Sequence, residues 1–328
     1  MSYILGVDAG NSKTVALVAR LDGAVVGAAR RGCGDVSNRA VGVAAALNNV
    51  EAAVTTALEA AAITENDLVA QTFSMAGADW PEDFIFLHEH LSRGRDVHIV
   101  NDAVGALRAG SPDGTGVAVV CGTYAVSAAR ASGGATWHAG FWQETGGAFK
   151  FGEEALRAVY RTELGIDPAT SLTGAVLEFF GRGSVEEVLH GLTARGSSFP
   201  PNTAARLAPV LLSEAANGDS AARAIVQSQG GILADYALAA ARQVGIDTTP
   251  FKLLLTGGVF RHPSQLLEKE ITARVHTHNL DITVFRSDRE PVVGAVLLAL
   301  EAVAVVPDPA LYERLRASLP PSAFFATR

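Results

Sequence analysis

Apolar and polar positions along this chain change rhythm several times, and each rhythm predicts an element. Tyr3–Asp8 and Val15–Leu21 are β-rich runs on either side of Ala9-Gly10-Asn11-Ser12-Lys13-Thr14, a polar turn containing glycine. The pair predicts a hairpin. Asp22-Gly23 signals a second turn, and Ala24–Arg30 a third strand. Val41–Ala62 is alanine-rich with apolar residues at helical spacing. Val69–Met75 and Val97–Val100 predict short buried strands around a helix at Phe84–Leu91. Three strands, then helix, strand, helix and strand predict a mixed sheet with helices on its faces.

After Asn101–Ala109 the pattern starts again. Gly116–Cys121 is a continuous apolar strand, followed by Gly122-Thr123 and the apolar run Ala125–Ala131. A second hairpin opening the second half is a duplication signal, with a boundary near Ser111-Pro112-Asp113-Gly114. The expectation is two α/β lobes, residues 1–112 and 113–328. The second lobe is enriched in helices: Glu153–Leu164, one led by Asp167-Pro168, Val185–Leu192, and a long one from Asp219 to Val244. Leu253–Leu255 predicts a buried strand running into Thr256-Gly257-Gly258-Val259, and Ile282–Phe285 a last strand before an apolar helix, Val292–Val306.

Composition narrows the function. With 34 acidic against 26 basic residues and a net charge of −8, no basic stripe is available for nucleic acid or an anionic membrane. The run Val292–Val306 is broken by Glu301 and falls short of the roughly 20 residues that span a bilayer. The N-terminal residues carry no basic region and meet Asp8 almost at once, unlike a signal peptide. Cys33 and Cys121, the two cysteines, form no CxxC pair and make no disulfide scaffold. A cytoplasmic protein is expected. The eight histidines show no metal-ligand spacing.

Four segments carry candidate chemistry. In Asp8–Thr14 a strand delivers a carboxylate into a turn of small residues, whose backbone N–H groups could approach a phosphate. Ser12 and Thr14 would add hydroxyl donors, Lys13 positive charge, and Asp8 an anchor for the water shell of Mg²⁺. An ordinary polar hairpin would read the same. Asn101-Asp102-Ala103 puts a carboxylate at the end of one strand and the start of a helix, where α/β folds place ligands and where helices also favour a simple cap. Cys121-Gly122-Thr123-Tyr124 repeats the strand-glycine-hydroxyl pattern. In Leu255–Phe260 the pair Gly257-Gly258 follows a buried strand and permits a ligand close to the backbone.

Taken in order and spacing, these segments resemble the sugar kinase–actin–heat-shock ATPase superfamily, and more closely the BadF/BadG/BcrA/BcrD ATPase family, which includes N-acetylglucosamine kinases. Asp8–Thr14 is similar to that family's first phosphate loop, Asp-Gly-Gly-Gly-Thr-Lys-Thr. Asn101-Asp102-Ala103 matches its catalytic segment, Thr256–Val259 its adenosine segment, and Ser37-Asn38 its sugar contact. The resemblance implies a two-lobed actin-like (ribonuclease H-like) fold holding ATP and Mg²⁺ between the lobes. It implies γ-phosphate transfer to a hydroxyl, the 6-OH, of N-acetylglucosamine or a related amino sugar. Asp102 would be the base and a sugar contact; Asp8 would serve the metal. Gly10, Asn11, Ser12, Lys13, Thr14, Gly122 and Thr123 would take the phosphates, Gly257 and Gly258 the adenosine, and Asn38 and Glu144 the sugar. Family habit implies a homodimer.

Two departures stand out. Tyr124 replaces a glycine of the family's second phosphate loop, and Gln143–Ala148 replaces its Gly-Asp-Glu-Gly-Ser-Gly sugar segment, with Glu144 in place of the aspartate. Tyr124 would suit a sensor that holds ligand without turning it over. An ATPase activator of an acyl-CoA reductase or dehydratase is the other alternative, but such activators need cluster-binding cysteines, for which Cys33 and Cys121 are poorly placed. Trp137, His138 and Trp142 lie near the altered segment, as sugar-stacking rings or as packing.

Overall fold

A computed structural model of the chain describes residues 2–92, 94–142, 146–197, 199–200, 202–278, 281–287 and 289–326. The chain opens with β1 (Tyr3–Ala9), β2 (Thr14–Arg20) and β3 (Val25–Arg31), then α1 (Val43–Ala60), β4 (Leu68–Met75), α2 (Pro81–Leu91), β5 (His98–Asn101) and α3 (Asp102–Gly110). Next come β6 (Gly116–Cys121), β7 (Ala125–Arg130), β8 (Thr136–His138), α4 (Gly147–Glu163), α5 (Leu172–Phe180), α6 (Val185–Thr193), α7 (Ala208–Asn217) and α8 (Ser220–Gln243). Then follow β9 (Phe251–Thr256), α9 (Leu266–His276) and β10 (Ile282–Arg286), and finally α10 (Pro291–Ala302), α11 (Pro309–Ser318) and α12 (Ser322–Phe325).

The chain forms two compact units. One comprises Met1–Thr115 together with Ser287–Arg328, the other Gly116–Arg286. The first boundary lies close to the expected one at 112, but a second lobe running from 113 to 328 is corrected. α10 carries an apolar surface all round, with Val292 to Leu300 buried. That surface is covered against β1, β2 and α3 of the first unit.

Each unit is built on a five-stranded mixed sheet. The first has the order β3-β2-β1-β4-β5 and the second, read from its far edge, β8-β7-β6-β9-β10. In each, the leading strand pairs antiparallel with the next and parallel with the first strand beyond the helical insertion, one helix (α1) in the first unit and five (α4–α8) in the second. The same order twice confirms the duplication that the repeated hairpins suggested.

In the first unit, β1 is apolar on both faces. Leu5, Val7 and Ala9 meet α1, whose buried residues Ala46, Val50, Ala53, Val54, Ala57 and Leu58 fall at helical spacing. Ile4 packs on the other side with Val15, Leu17 and α10. α3 is drawn against α10 so closely that a Cβ on Gly294 would lie 1.8 Å from the Gly105 carbonyl. This contact seats the helix that Asp102 begins.

Several boundaries differ from the sequence reading. The helix expected from Asp167-Pro168 begins at Leu172, because Asp167 and Pro168 close the end of α4 instead. Asp167 accepts from Arg161 at 2.6 and 2.9 Å, and the Pro168 carbonyl accepts from Thr162 at 2.9 Å. α4 starts at Gly147, six residues before the expected Glu153. The last apolar helix stops at Ala302, where Ala304 turns to a φ of 59°. No helix among the described residues is long and apolar enough to cross a membrane.

Candidate active site

In the first unit, the turn joining β1 to β2 is closed by the Gly10 amide, which donates to the Lys13 carbonyl at 2.9 Å. That bond closes a tight turn of small and polar residues, the kind of backbone arrangement that can form an anion-binding concavity. Loop 32–38 backs the turn. The Gly34 amide donates to the Gly10 carbonyl at 3.1 Å, and Asn38 Nδ2 donates to Asn11 Oδ1. Ser12 is exposed, whereas Thr14 is fully buried and its hydroxyl donates to the Gly32 carbonyl at 2.9 Å. Of the two hydroxyls expected to supply donors, Ser12 therefore faces solvent and Thr14 anchors the loop. Lys13 is engaged as well: its ammonium donates to Glu290 Oε2 at 3.0 Å and to the Phe325 carbonyl.

Asp8, at the end of β1, is 7 % exposed. Burial pushes its carboxyl up to about 7; Asp102 and Glu290 add to the rise and Lys13 opposes it. Asp102 occupies the first turn of α3 and is partly buried. Its carboxyl is likewise pushed up to about 7, by burial and then by Asp79 and Asp35, against the pull of its own and the Ala103 backbone amides. Asn101 caps the helix: Oδ1 accepts from the Ala103 amide at 3.0 Å, while Nδ2 donates to the Ala78 carbonyl and to Asp79 Oδ1, both at 3.2 Å. Asn101, rather than Asp102, supplies the side-chain cap of α3.

Asp8, Asp35, Asp79 and Asp102 thus share one electrostatic neighbourhood in the first unit. A group that accepts a proton near neutral pH needs a pKa raised in this way. Asp35 and Asp79 were not singled out in the sequence. Asp79 lies in the loop after β4, at a strand's C-terminal end, which is the signal that could have found it. Asp35 follows Cys33-Gly34 in a polar loop that carries no such mark. Asn38 is brought to the same unit, with its Oδ1 accepting from the amides of Ala40 and Val41 at 3.0 and 3.2 Å.

In the second unit, Gly122-Thr123-Tyr124 joins β6 to β7. The Gly122 amide donates to the Tyr124 carbonyl at 2.9 Å. The turn docks on the start of α4, where the amides of Ala148 and Phe149 donate to the carbonyls of Gly122 and Thr123 at 2.9 and 3.0 Å. Gly147 makes the docking possible: its φ is +79°, and a Cβ there would lie 2.5 Å from the Tyr124 carbonyl carbon. Tyr124 itself has an ordinary backbone conformation and is 46 % exposed, its ring 6.0 Å from that of Phe149. The bulk it adds lies outside the turn, and the hairpin survives the loss of glycine.

Gly257 and Gly258 end β9 in the same unit. Gly257, at φ +105°, lies against Cys121, with a Cβ position 2.5 Å from its carbonyl oxygen. Gly258 faces open space, since a Cβ there would meet nothing within 4 Å. One glycine seats the strand end on the loop strand and the other presents bare backbone. Trp137 packs against the core, while Trp142 is 68 % exposed and its carbonyl accepts from Tyr236 at 2.8 Å. Glu144 lies outside the described residues.

Among the described residues, no group of three or more His, Cys, Asp or Glu is arranged to enclose a metal ion. Cys121 is fully buried, with its thiol pushed up to about 12 by that burial, and Cys33 is partly buried.

The model of the BadF/BadG/BcrA/BcrD ATPase family matches residues 5–299. N-acetyl-D-glucosamine kinase of Dictyostelium discoideum is 25 % identical over 243 residues, covering 70 % of this chain and 74 % of that one. N-acetylmuramic acid/N-acetylglucosamine kinase of Clostridium acetobutylicum is 23 % identical over 307 residues, covering 91 % and 98 %. A solved structure from Chromobacterium violaceum, provisionally designated an N-acetylglucosamine kinase, superposes with a TM-score of 0.66 at 22 % identity, covering 91 % of this chain and 99 % of that one. A ROK family glucokinase from Streptomyces griseus, solved with glucose and AMPPNP, gives 0.55 at 15 % identity, covering 92 % and 100 %. These structures share the fold: two mixed sheets flanked by helices, of the actin-like ATPase type. Because the family model spans nearly the whole chain, and both hairpin loops stand at the head of their sheets, this chain belongs to the BadF/BadG/BcrA/BcrD ATPase family.

Proposed function

We propose that this protein transfers the γ-phosphate of ATP to a hydroxyl, the 6-OH, of N-acetylglucosamine or a closely related amino sugar. The observation that carries the reading is Asp102, a partly buried carboxylate at a strand-to-helix junction with its pKa raised to about 7. It stands in the electrostatic company of Asp8, and Asp8 leads into a tight turn closed by the Gly10 amide on the Lys13 carbonyl. The curated relatives are named for phosphorylation of N-acetylglucosamine and N-acetylmuramic acid.

Phosphoryl transfer depends mainly on alignment and on neutralising charge. In this proposal Asp102 orients the acceptor hydroxyl and takes its proton as the oxygen attacks phosphorus; the bond from phosphorus to the β-bridging oxygen breaks, leaving ADP. The Gly10–Thr14 turn is assigned to the phosphate oxygens in the first unit. Gly122 and Thr123 are assigned to the phosphates in the second unit and Gly257 and Gly258 to the adenosine, with Gly258 presenting the bare backbone. Asn38 and Glu144 are assigned to the sugar. Asp8 fits Mg²⁺ through its water shell, since a buried carboxylate with a raised pKa is short of positive charge. The metal would neutralise charge on the phosphates when bound. Two cysteines, one buried with a thiol pushed up to about 12, give poor support to a cluster-bearing activator.

ADP release over a panel of N-acetylglucosamine, glucosamine, glucose, N-acetylmannosamine and muramic derivatives tests the reading. Sugar-dependent ADP release, greatest with an N-acetylated hexosamine, is the expected result. Release that ignores every sugar would remove the kinase proposal.

A further inference from the structure

Lys13 brings a full positive charge to the first loop, and that charge is committed elsewhere. Its ammonium donates to Glu290 Oε2 at 3.0 Å, with both side chains 16 % exposed, and to the backbone carbonyl of Phe325. It also stands 5.7 Å from the centre of the Phe325 ring. A carboxylate, a carbonyl and a π face therefore share one ammonium, each contact being favourable for a cation. Phe325 is well placed to hold it, being 4 % exposed and edge-on to Phe324 at 5.1 Å. It packs in the cluster containing Ile4 of β1 and Val15 and Leu17 of β2, the strands that enter and leave the loop. For Lys13 to reach a phosphate, it would have to give up both hydrogen bonds and the ring.

We propose that Lys13 is a positioning residue, tied by Glu290 and Phe325, and that α12 is a strap that holds the first loop in shape for a phosphate gripped by the backbone. The activity part of this inference rests on the kinase reading; the structural part does not. In the alternative, α12 occupies a lysine that nucleotide must win back, and the two ideas differ in sign.

Lys13→Met, Phe325→Ala and their combination, made in the full chain, decide between them. Hydrogen exchange of the amides in residues 9–14, measured without nucleotide, should quicken in both single variants. The ATP KM should rise about tenfold in each, with kcat little changed, as expected when uniform binding is lost. The combined variant should be no worse than the worse single one, because both cut the same tie. Phe325→Leu, which keeps apolar bulk and loses the ring, should fall between wild type and Phe325→Ala and guards against mistaking general unfolding for the effect. A lower ATP KM in Phe325→Ala beside a higher one in Lys13→Met would overturn the proposal, as would unchanged exchange in both. If no sugar supports ATP turnover, the kinase reading falls, and the exchange measurement alone decides the strap.

Discussion

Replacing Asp8 by asparagine should make the nucleotide-free protein more stable while damaging its chemistry. The carboxyl is raised from an ordinary 3.8 to about 7, first by burial and next by Asp102. At pH well above 7, holding the ionised form in the fold costs at most about 4 kcal/mol relative to the unfolded chain. Asparagine must itself be buried and hydrogen-bonded, so about 2 kcal/mol is the expected gain. The sign follows from linkage. A carboxylate whose folded pKa is raised imposes no penalty below the unfolded value of 3.8; the penalty grows between about 4 and 7 and is complete above 7. Asp8→Asn should thus melt higher than wild type at pH 8, by about 2–4 °C per kcal/mol for a unit of this size, and about level with it near pH 4. Thermal unfolding at both pH values, with chelator and without nucleotide, measures the difference of differences. An equal gap at both pH values would refute the argument that a buried negative charge is stored beside the loop. Turnover of the same variant should fall, since in the proposed reaction the Asp8 carboxylate serves the metal.

Asp102→Asn should lower kcat by about 10²- to 10⁴-fold while nucleotide affinity, read by calorimetry, is kept. Because Asp102 must be ionised to accept a proton and is raised to about 7, kcat/KM should decline below about pH 7; Asp79→Asn, which removes a neighbouring negative charge, should move that decline to lower pH. Gly147→Ala should weaken ADP binding and cost about 1–3 kcal/mol of stability, because its φ of +79° and the 2.5 Å approach to Tyr124 leave no room for a methyl. Tyr124→Gly, by contrast, should leave the unfolding midpoint nearly unchanged, since the side chain is 46 % exposed and its backbone is ordinary; a large loss would show that the ring braces the turn.

Local rhythm exposed much of the fold. Strands β1, β2, β6 and β7 and the helices α1 and α8 were legible because each buries one stripe or one continuous run, and the repeated hairpins gave away the duplication. The short helices α7 and α9 and the strand β8 were missed: α7 buries four of its ten residues, α9 three of eleven, and β8 has only three residues, so no rhythm repeats often enough to be read. Most instructive is Val292–Val306. Its apolar surface all round announced burial, but no local feature says that β1, β2 and α3 are what buries it. The candidate site divides the same way. Asp8, Asp102 and the glycine pairs carry strand-end signals, and so were found. Glu290 and Phe325 act on Lys13 across 277 and 312 positions, and a contact of that span leaves no trace in spacing.

The return of α10 to the first unit sets a timetable for synthesis. One side of β1 and β2, with Ile4, Val15 and Leu17, stays without its cover until the ribosome has made the whole of Gly116–Arg286 and the helix beyond it. About 280 residues separate Arg20 from Ala302, so at about 5–20 residues per second that wait is roughly 15 to 55 seconds. The later unit, uninterrupted in the chain, can close during this interval, so the half that is made first finishes last. Its bare apolar strands are the stretch a nascent-chain chaperone would meet.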